Sequence, residues 1–527
     1  MKKSSAFIAV RFIALWCGLF SFNATTQAQH PPSHQPQTSA QKPKPQSSET
    51  EPAAETHAHH SHAEHAAMTT LTGGPFRSMN AIGSGTALQP ASTPMTGWHF
   101  SRGEWLLMLH GELKAGFNQQ GGARGVGKAV SQNWLMLMAE RNAGRGRLML
   151  RGMVTAEPLT APHGGFPQLF QTGETYHGRP IIDAQHPHDL VMELAASYTL
   201  PLSERVSVQL YGGPVGEPAL GPVAFMHRAS AMENPAVPLG HHWQDSTHIA
   251  HGVMTGSLTI SRFRLEASGF HGREPDENRA AIDLGRIDSY SLRIGLVPTP
   301  NWALQFSWGR LSNPETLHPG DVVRRTASVM WNRPLPHGNL ASTFVWGRIS
   351  EVHGVSNSYL LESTLNFRRK NYAYFRGELL DKTGLLEDNI FGRPGLICIL
   401  VKTRLGHSQP QSVITAGEIV NASQPVETLV CQPGNPVLNS VRNNLPAHVI
   451  EPSTGGRVYP PNIYNQWFRV GAWTLGGVRD LLANEKLKVG LGADVTFYHQ
   501  PAALNPIYGR GVKSYQVFLR FRPGEMK

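Results

Sequence analysis

The chain has 527 residues and a formal net charge of +10, with 40% hydrophobic and 16% charged residues, 53 glycines and 39 prolines. After residue 28 no run of roughly 18 apolar residues occurs, which excludes a protein that crosses a membrane with helices. Few charges combined with many glycines and prolines are typical of a turn-rich, β-rich protein.

Residues 1–28 are predicted to be a cleaved secretory signal. Basic residues precede the apolar run Phe12–Phe20, and Ala28 ends a stretch of small residues that suits a cleavage site. The apolar run is too short for the alternative, an N-terminal membrane anchor.

Residues 29–75 are predicted to be a disordered tail rich in Gln, Pro, Ser, Thr, Ala and His, and residues 76–104 a linker into the folded domain. Imidazole suits Cu(II), Ni(II) and Zn(II), so the tail is a candidate metal binder; a solvated linker is the alternative. Five closely spaced histidines are its candidate ligands: His57, His59, His60, His62 and His65.

From residue 105 onward, segments of about ten residues alternate apolar and polar side chains. In 105–117, Leu107 and Leu113 face one way, whereas Glu112 and Lys114 face the other. This alternation is typical of strands that have one face toward lipid and one toward a lumen.

Residues 105–527 are therefore predicted to form an all-β domain, a transmembrane antiparallel β-barrel of about 16 strands, with roughly 14 to 18 allowed. The predicted strands are 105–117, 132–140, 147–156, 190–200, 204–213, 247–259, 261–271, 286–297, 302–312, 323–333, 338–350, 356–366, 370–380, 466–477, 486–498 and 513–522.

Connection lengths give a second signal for a barrel. Connections after even-numbered strands are short, and those after odd-numbered strands are mostly long, with 351–355 as the exception. Outer-membrane barrels have short turns on the periplasmic side and longer loops outside. Tryptophans in or near strands fit the aromatic girdles of such barrels: Trp302, Trp308, Trp331, Trp346, Trp467 and Trp473.

The longest connection, 381–465, is an insertion that contains Cys398 and Cys431. In an oxidising compartment these two cysteines form either a disulfide or a pair of isolated thiols. The insertion itself is either a small outer subdomain, a plug or a partner-binding flap, because loops of this length are usually functional or disordered.

Histidines concentrate in the long loops. Of 25 histidines, nine lie between residues 163 and 251. If the strand ends that carry them are neighbours, several imidazoles and carboxylates converge near the lumen, and this donor set suits zinc or Cu(II). The candidate ligands are His177, Asp183, His186, His188, His227, His241, His242, Asp245, His248 and His251.

Other interpretations of these loops compete with a metal site. The histidines can instead hydrogen-bond and order the loops, whose glycines and prolines indicate compact turns. Ser246 lies beside Asp245 and His248, the residue types of an activated nucleophile, but no Gly-x-Ser-x-Gly elbow marks it and no enzyme is predicted. The acidic turn Glu274–Glu277 is expected to be solvated rather than a cation site or a base.

A signal, a His-rich tail with Met68 near its end and then a barrel together resemble outer-membrane copper-resistance proteins of the B type. This resemblance is architectural, and it implies a non-enzymatic outer-membrane barrel that binds or passes transition-metal ions, copper first, with its tail in the periplasm. The expected partners are outer-membrane lipid and metal ions or small solutes. Nucleic acid is not expected, because no basic cluster is interleaved with aromatics.

The alternative function is a porin-like channel for small polar or anionic solutes. Arginines assigned to the lumen would favour anions in such a channel. These are Arg147, Arg151, Arg310, Arg325 and Arg348.

Overall fold

The computed structural model describes residues 82–94, 96–316, 319–352, 354–393, 395 and 466–524. Within 396–433 it describes the backbone of four short strands: Leu396–Thr403, Ile414–Thr415, Glu418–Ile419 and Val426–Pro433. The predicted signal and the tail with its five candidate histidine ligands lie outside the described residues.

Sixteen antiparallel strands form one closed barrel, which confirms the predicted fold class. Each strand pairs with its neighbours along the chain, and the last pairs with the first. The strands are β1 Trp105–Gln119, β2 Gly127–Ala143, β3 Gly146–Val154, β4 Val191–Pro201, β5 Val206–Gly216, β6 Ala250–Ile260, β7 Phe263–His271, β8 Ser289–Thr299, β9 Trp302–Leu311, β10 Val322–Leu335, β11 Gly338–Glu351, β12 Gly354–Phe367, β13 Asn371–Lys382, β14 Phe468–Ala483, β15 Leu487–His499 and β16 Lys513–Pro523.

Two strands share the seam at β1. β16 pairs with the second half of β1, from Leu113 to Gln119, and a short strand, Trp98–Arg102, pairs with the first half of β1. The indole Nε1 of Trp98 also donates to the Lys486 carbonyl at 2.8 Å. Because closure pairs the first and last strands, the sheet has no long free edge at the seam.

Short connections lie at one end of the barrel, the turn end, and the long ones at the other, the loop end. The predicted alternation of lengths is thus confirmed, including its exception between β11 and β12. The connections hold a hairpin of Phe166–Tyr176 with Arg179–Gln185 and short helical segments: Glu157–Thr160, Phe225–His227, His241–Gln244, Ser246–His248, Ala502–Leu504 and Asn505–Tyr508.

The outward side chains form an apolar wall. Leu210, Leu265 and Leu292 are among the many large apolar residues that are exposed there. Aromatic rings lie toward both ends of the strands: Trp302 and Trp331 are 5.9 Å apart toward the turn end, and Tyr290 and Trp308 are 5.6 Å apart toward the loop end. Among the described residues, no helix is long and apolar enough to cross a membrane.

The lumen is filled by two segments of the chain. The N-terminal segment 82–94 places the carbonyl of Gly85 and the hydroxyl of Thr86 against Arg151 and Arg293, at 2.6 and 2.8 Å. The β5–β6 loop, residues 217–249, packs against this segment, where the Ala224 amide donates to the Ser84 hydroxyl at 2.8 Å, and against the wall, where Arg293 donates to the Gly221 carbonyl at 3.1 Å. As a result, inward-facing polar residues of the strands are buried over most of the described lumen.

Arg228 fixes the β5–β6 loop to the wall. Its guanidinium donates to Asp245 of the same loop at 2.9 Å and to Glu362 of β12 at 2.7 Å. Arg376 of β13 approaches the second oxygen of Glu362 at 3.3 Å. All four side chains are almost completely buried, so each charge depends on its partner.

The prediction of lumen-facing arginines is partly wrong. Arg147 and Arg151 point inward, as expected. Arg310, Arg325 and Arg348 lie on the outer face, because their immediate neighbours along each strand are the buried, inward-facing ones. Successive side chains of a strand point to opposite faces. An error of one position along the strand therefore assigns a side chain to the lumen when it lies on the outer wall.

In the insertion, Cys398 stands opposite Cys431 in the antiparallel pairing of Leu396–Thr403 with Val426–Pro433. This register brings the two backbones to adjacent positions. The disulfide stays a prediction.

We predict that Arg228→Met lowers the free energy of unfolding by about 3–5 kcal/mol, because it leaves the buried Asp245 without its arginine and Glu362 with Arg376 alone. Protease susceptibility of loop 217–249 should rise before the barrel unfolds, and both effects are measured by limited proteolysis and thermal unfolding in detergent. Arg205→Met, at an exposed turn-end position, is the control. Equal stability of the two variants would contradict the anchoring role of Arg228.

Candidate functional site

The loop end contains a cluster of three imidazoles built on the β5–β6 loop. His241 and His248 come from two of its three short helical segments, and His188 comes from the β3–β4 connection. Ring centroids are 5.1 Å apart for His241 and His248, and 5.3 Å for His188 and His248. Phe225 packs against all three rings.

Each imidazole of this cluster has a partner for its Nδ1 atom. His188 is 2.8 Å from Glu157, His241 is 2.8 Å from an Asp245 oxygen, and His248 is 2.8 Å from the Asp245 carbonyl. Such partners fix the ring orientation and leave Nε2 as the free nitrogen. Among the described residues, Nε2 of His188 and of His248 are buried without a hydrogen-bond partner.

Next to this cluster, His242, Glu274 and Glu315 form the vestibule triad. One ligand atom from each lies within 4.8 Å of the others, the only such group of three or more found in the part of the chain that the structure describes. His242 Nδ1 is 3.5 Å from Glu274 and 3.6 Å from Glu315. The side chains are 5%, 10% and 24% exposed, so the triad is accessible from one side.

Gly173 determines how the His242 ring is placed. Its φ of +133° suits glycine, and a Cβ at this position would lie 2.6 Å from His242 Nε2. The hairpin backbone therefore packs tightly against one side of the ring. Nδ1 is left facing the two carboxylates, and among the described residues it has no hydrogen-bond partner.

The triad lies at the wall of a cavity of about 360 Å³, which we call the vestibule. Five glutamates line it, whereas Arg324 and His242 are its basic lining residues. The glutamates are Glu174, Glu274, Glu315, Glu351 and Glu387. This excess of carboxylates favours cations over anions.

The electrostatic surroundings shift the pKa values of the neighbouring histidines in different directions. Burial acts to lower the pKa of His242, but the Glu274 and Glu315 carboxylates outweigh it and raise that pKa. For His241, burial dominates over the hydrogen bond to Asp245 and lowers the pKa to about 4. Burial likewise lowers the pKa of His248 well below its usual range. His241 and His248 are thus neutral at pH 7, as metal ligands must be.

The predicted ligands divide into two groups. His186, His188, His241, His242, Asp245 and His248 converge around one small pocket or its immediate wall. Four lie elsewhere: His177 is on the exposed tip of the hairpin, Asp183 pairs with Arg124 at 2.7 Å, His227 packs 4.8 Å from the Trp134 ring, and His251 is buried on β6. A metal role for each of these residues stays a prediction.

The two glutamates of the vestibule triad were not among the predicted ligands. Glu274 was expected in a solvated turn, but it is 10% exposed and accepts a hydrogen bond from Ser246 at 3.1 Å. Glu315 comes from the β9–β10 loop, and no local pattern marks it. Ser246 itself contacts Glu274 and Arg324, while His248 Nδ1 contacts the Asp245 carbonyl, so the suspected serine–histidine relay is not formed.

Comparisons with known proteins give only distant likenesses. No family model matches the chain, and no curated protein matches it. Among solved structures, it is similar to OmpF of Salmonella typhi in complex with daunomycin, with 8% identity over 81% of this chain and 100% of that chain and a TM-score of 0.42. It is also similar to the anion-selective porin from Comamonas acidovorans (9% identity, 79% and 99%, TM-score 0.38) and to OmpT of Vibrio cholerae (6%, 81% and 100%, TM-score 0.38).

We predict that the β5–β6 loop loses stability as the pH falls from 6.5 toward 4. The pKa of His241 is 6.5 in the unfolded chain and about 4 in the folded loop, so the folded state resists protonation throughout this interval. The loss approaches about 3 kcal/mol below pH 4. The hydrogen-exchange rates of residues 241–249 as a function of pH measure this loss. His241→Gln should flatten the dependence of these rates on pH. A variant with the same pH dependence as the parent chain would refute the role of His241.

Proposed function

We propose that this chain is a non-enzymatic outer-membrane β-barrel that binds a divalent transition-metal ion in its loop-end vestibule. The observation that carries the proposal is the vestibule triad, one imidazole and two carboxylates whose ligand atoms lie within 4.8 Å of one another. This donor set suits Zn(II) and Cu(II), the ions with which the proposal is tested.

Membrane placement is supported by the outer wall and the ends of the barrel. Leucines and other apolar side chains cover the outside, and aromatic rings lie toward both ends of the strands. A closed barrel pairs the backbone groups of its strands with one another and presents an apolar wall, as a sheet that crosses a bilayer must. The long loops then face outward, and the vestibule meets ions from that side.

The charge of the vestibule supports cation capture. Its five glutamates outnumber its basic residues: Arg324 donates to the Ser246 hydroxyl at 2.9 Å and also interacts electrostatically with Glu274 and Glu315. The neutral imidazoles behind the triad extend the supply of nitrogen ligands, with His241 and His242 rings 5.7 Å apart.

We predict that the purified barrel retains about one Zn(II) or Cu(II) ion after desalting, once all seven histidines of the tail, residues 29–75, are replaced by glutamine. His242→Ala and the double variant Glu274→Gln/Glu315→Gln should each weaken binding by at least about tenfold, because each removes ligand atoms from the triad. Isothermal titration and metal analysis after desalting measure the effect.

His177→Ala provides the matched control, since it removes an imidazole from the exposed hairpin tip outside the vestibule. It should bind metal like the parent protein. If the parent retains no ion, or if the control loses as much affinity as His242→Ala, the proposed metal function is wrong.

A channel for small solutes is the second candidate, favoured by one observation. The N-terminal segment 82–94 occupies the lumen and includes polar contacts to the wall, such as Arg151 with Gly85 and Asn332 with Ser92. Release of this segment would empty its part of the lumen, while the β5–β6 loop would stay fixed to the wall through Arg228. The acidic vestibule then predicts passage of cations rather than anions.

In planar bilayers we expect low conductance for the parent chain and at least about a tenfold increase when residues 82–94 are deleted, because the deletion empties part of the lumen. Reversal potentials in a salt gradient should show cation preference. A deletion variant that stays closed, or one that prefers anions, would rule this candidate out.

A further inference from the structure

Two arginines on the outer wall stand directly opposite one another. Arg325 of β10 and Arg348 of β11 are partners in the strand register, and both side chains lie on the outer face near the loop end. Like charges in directly opposed positions destabilise a sheet unless something compensates them.

Two other arginines on the outer wall near the loop end have an acidic partner. Arg310 pairs with Asp321, and Arg469 pairs with Asp381 at 2.6 Å. Arg325 instead donates to the Ser350 hydroxyl at 3.3 Å, and Arg348 has no hydrogen bond or ion pair within the described residues. The pair therefore has two positive charges and no carboxylate among the described residues to balance them.

The pair borders the apolar wall. The next outward-facing row toward the turn end contains Phe306, Trp346 and Tyr359, which follow one another across β9 to β12 through Ala327. Aromatic rows of this kind mark the boundary between hydrocarbon and headgroups. The guanidinium groups thus lie at the level where lipid headgroups would contact the barrel.

We propose that Arg325 and Arg348 bind the phosphate of a phosphorylated lipid headgroup in the leaflet at the loop end. Planar guanidinium groups bind phosphate through paired hydrogen bonds, and one phosphate between two opposed arginines neutralises both. This inference rests on the proposed membrane placement, but it does not depend on metal binding in the vestibule.

The test compares the full chain in phosphatidylcholine nanodiscs that contain either lipid A, a phosphorylated glucosamine lipid, or its dephosphorylated form. Mass spectrometry after transfer to detergent measures the retained lipid. The parent chain should retain the phosphorylated form about tenfold over the other, and Arg325→Gln/Arg348→Gln should abolish the difference. Arg325→Lys/Arg348→Lys should retain an intermediate amount, since ammonium groups lack the paired donors.

Arg205→Gln/Arg262→Gln is the matched control, because it removes the same charge at the exposed turn end. If the control variant lost the same lipid selectivity, net charge alone would explain the effect and the proposal would be overturned. Displacement of the lipid by equimolar inorganic phosphate would also overturn it, because the site would then bind free phosphate. Heat-modifiable electrophoretic mobility confirms that each variant is folded, and unchanged zinc titration separates this result from failure of the vestibule site.

Discussion

The filled lumen imposes the requirement on which the rest of the structure depends: a charge inside it must have a partner. Arg228 is fully buried, and a buried ion left alone costs several kcal/mol. Its two carboxylate partners come from the β5–β6 loop and from β12, so neutralising the arginine also joins the loop to the wall. The loop is consequently held in one position by electrostatics as well as by packing.

Asp245 extends this constraint to the histidines. One of its oxygens accepts from Arg228 and the other accepts from His241, while its carbonyl contacts His248. The imidazoles are therefore oriented by a residue that the barrel wall itself fixes. Orientation through a second layer of hydrogen bonds is what gives metal ligands a defined geometry before any ion arrives.

Sequence reasoning recovered the barrel because alternation with period two repeats in every strand and connection lengths alternate independently of it. It placed histidines such as His188, His241 and His248 near each other because adjacent strands must meet at one end. It could not find Glu315, since that residue joins the vestibule only through the β9–β10 loop, and contacts between loops leave no periodic signal. Loop conformation depends on tertiary partners such as Arg228, which lie far along the chain.

The arginines assigned to the wrong face show how the barrel separates charge. Arg324 and Arg325 are adjacent, yet the first is buried beside Ser246 of the vestibule and the second lies on the outer wall. Because neighbouring strand residues face opposite sides, one basic dipeptide serves two environments. The inner arginine meets an excess of glutamates in the vestibule, whereas the outer one meets Arg348 across the register. Under the two proposals, the acidic vestibule binds a cation and the Arg325–Arg348 pair binds phosphate, so one strand carries sites for ligands of opposite sign on its two faces.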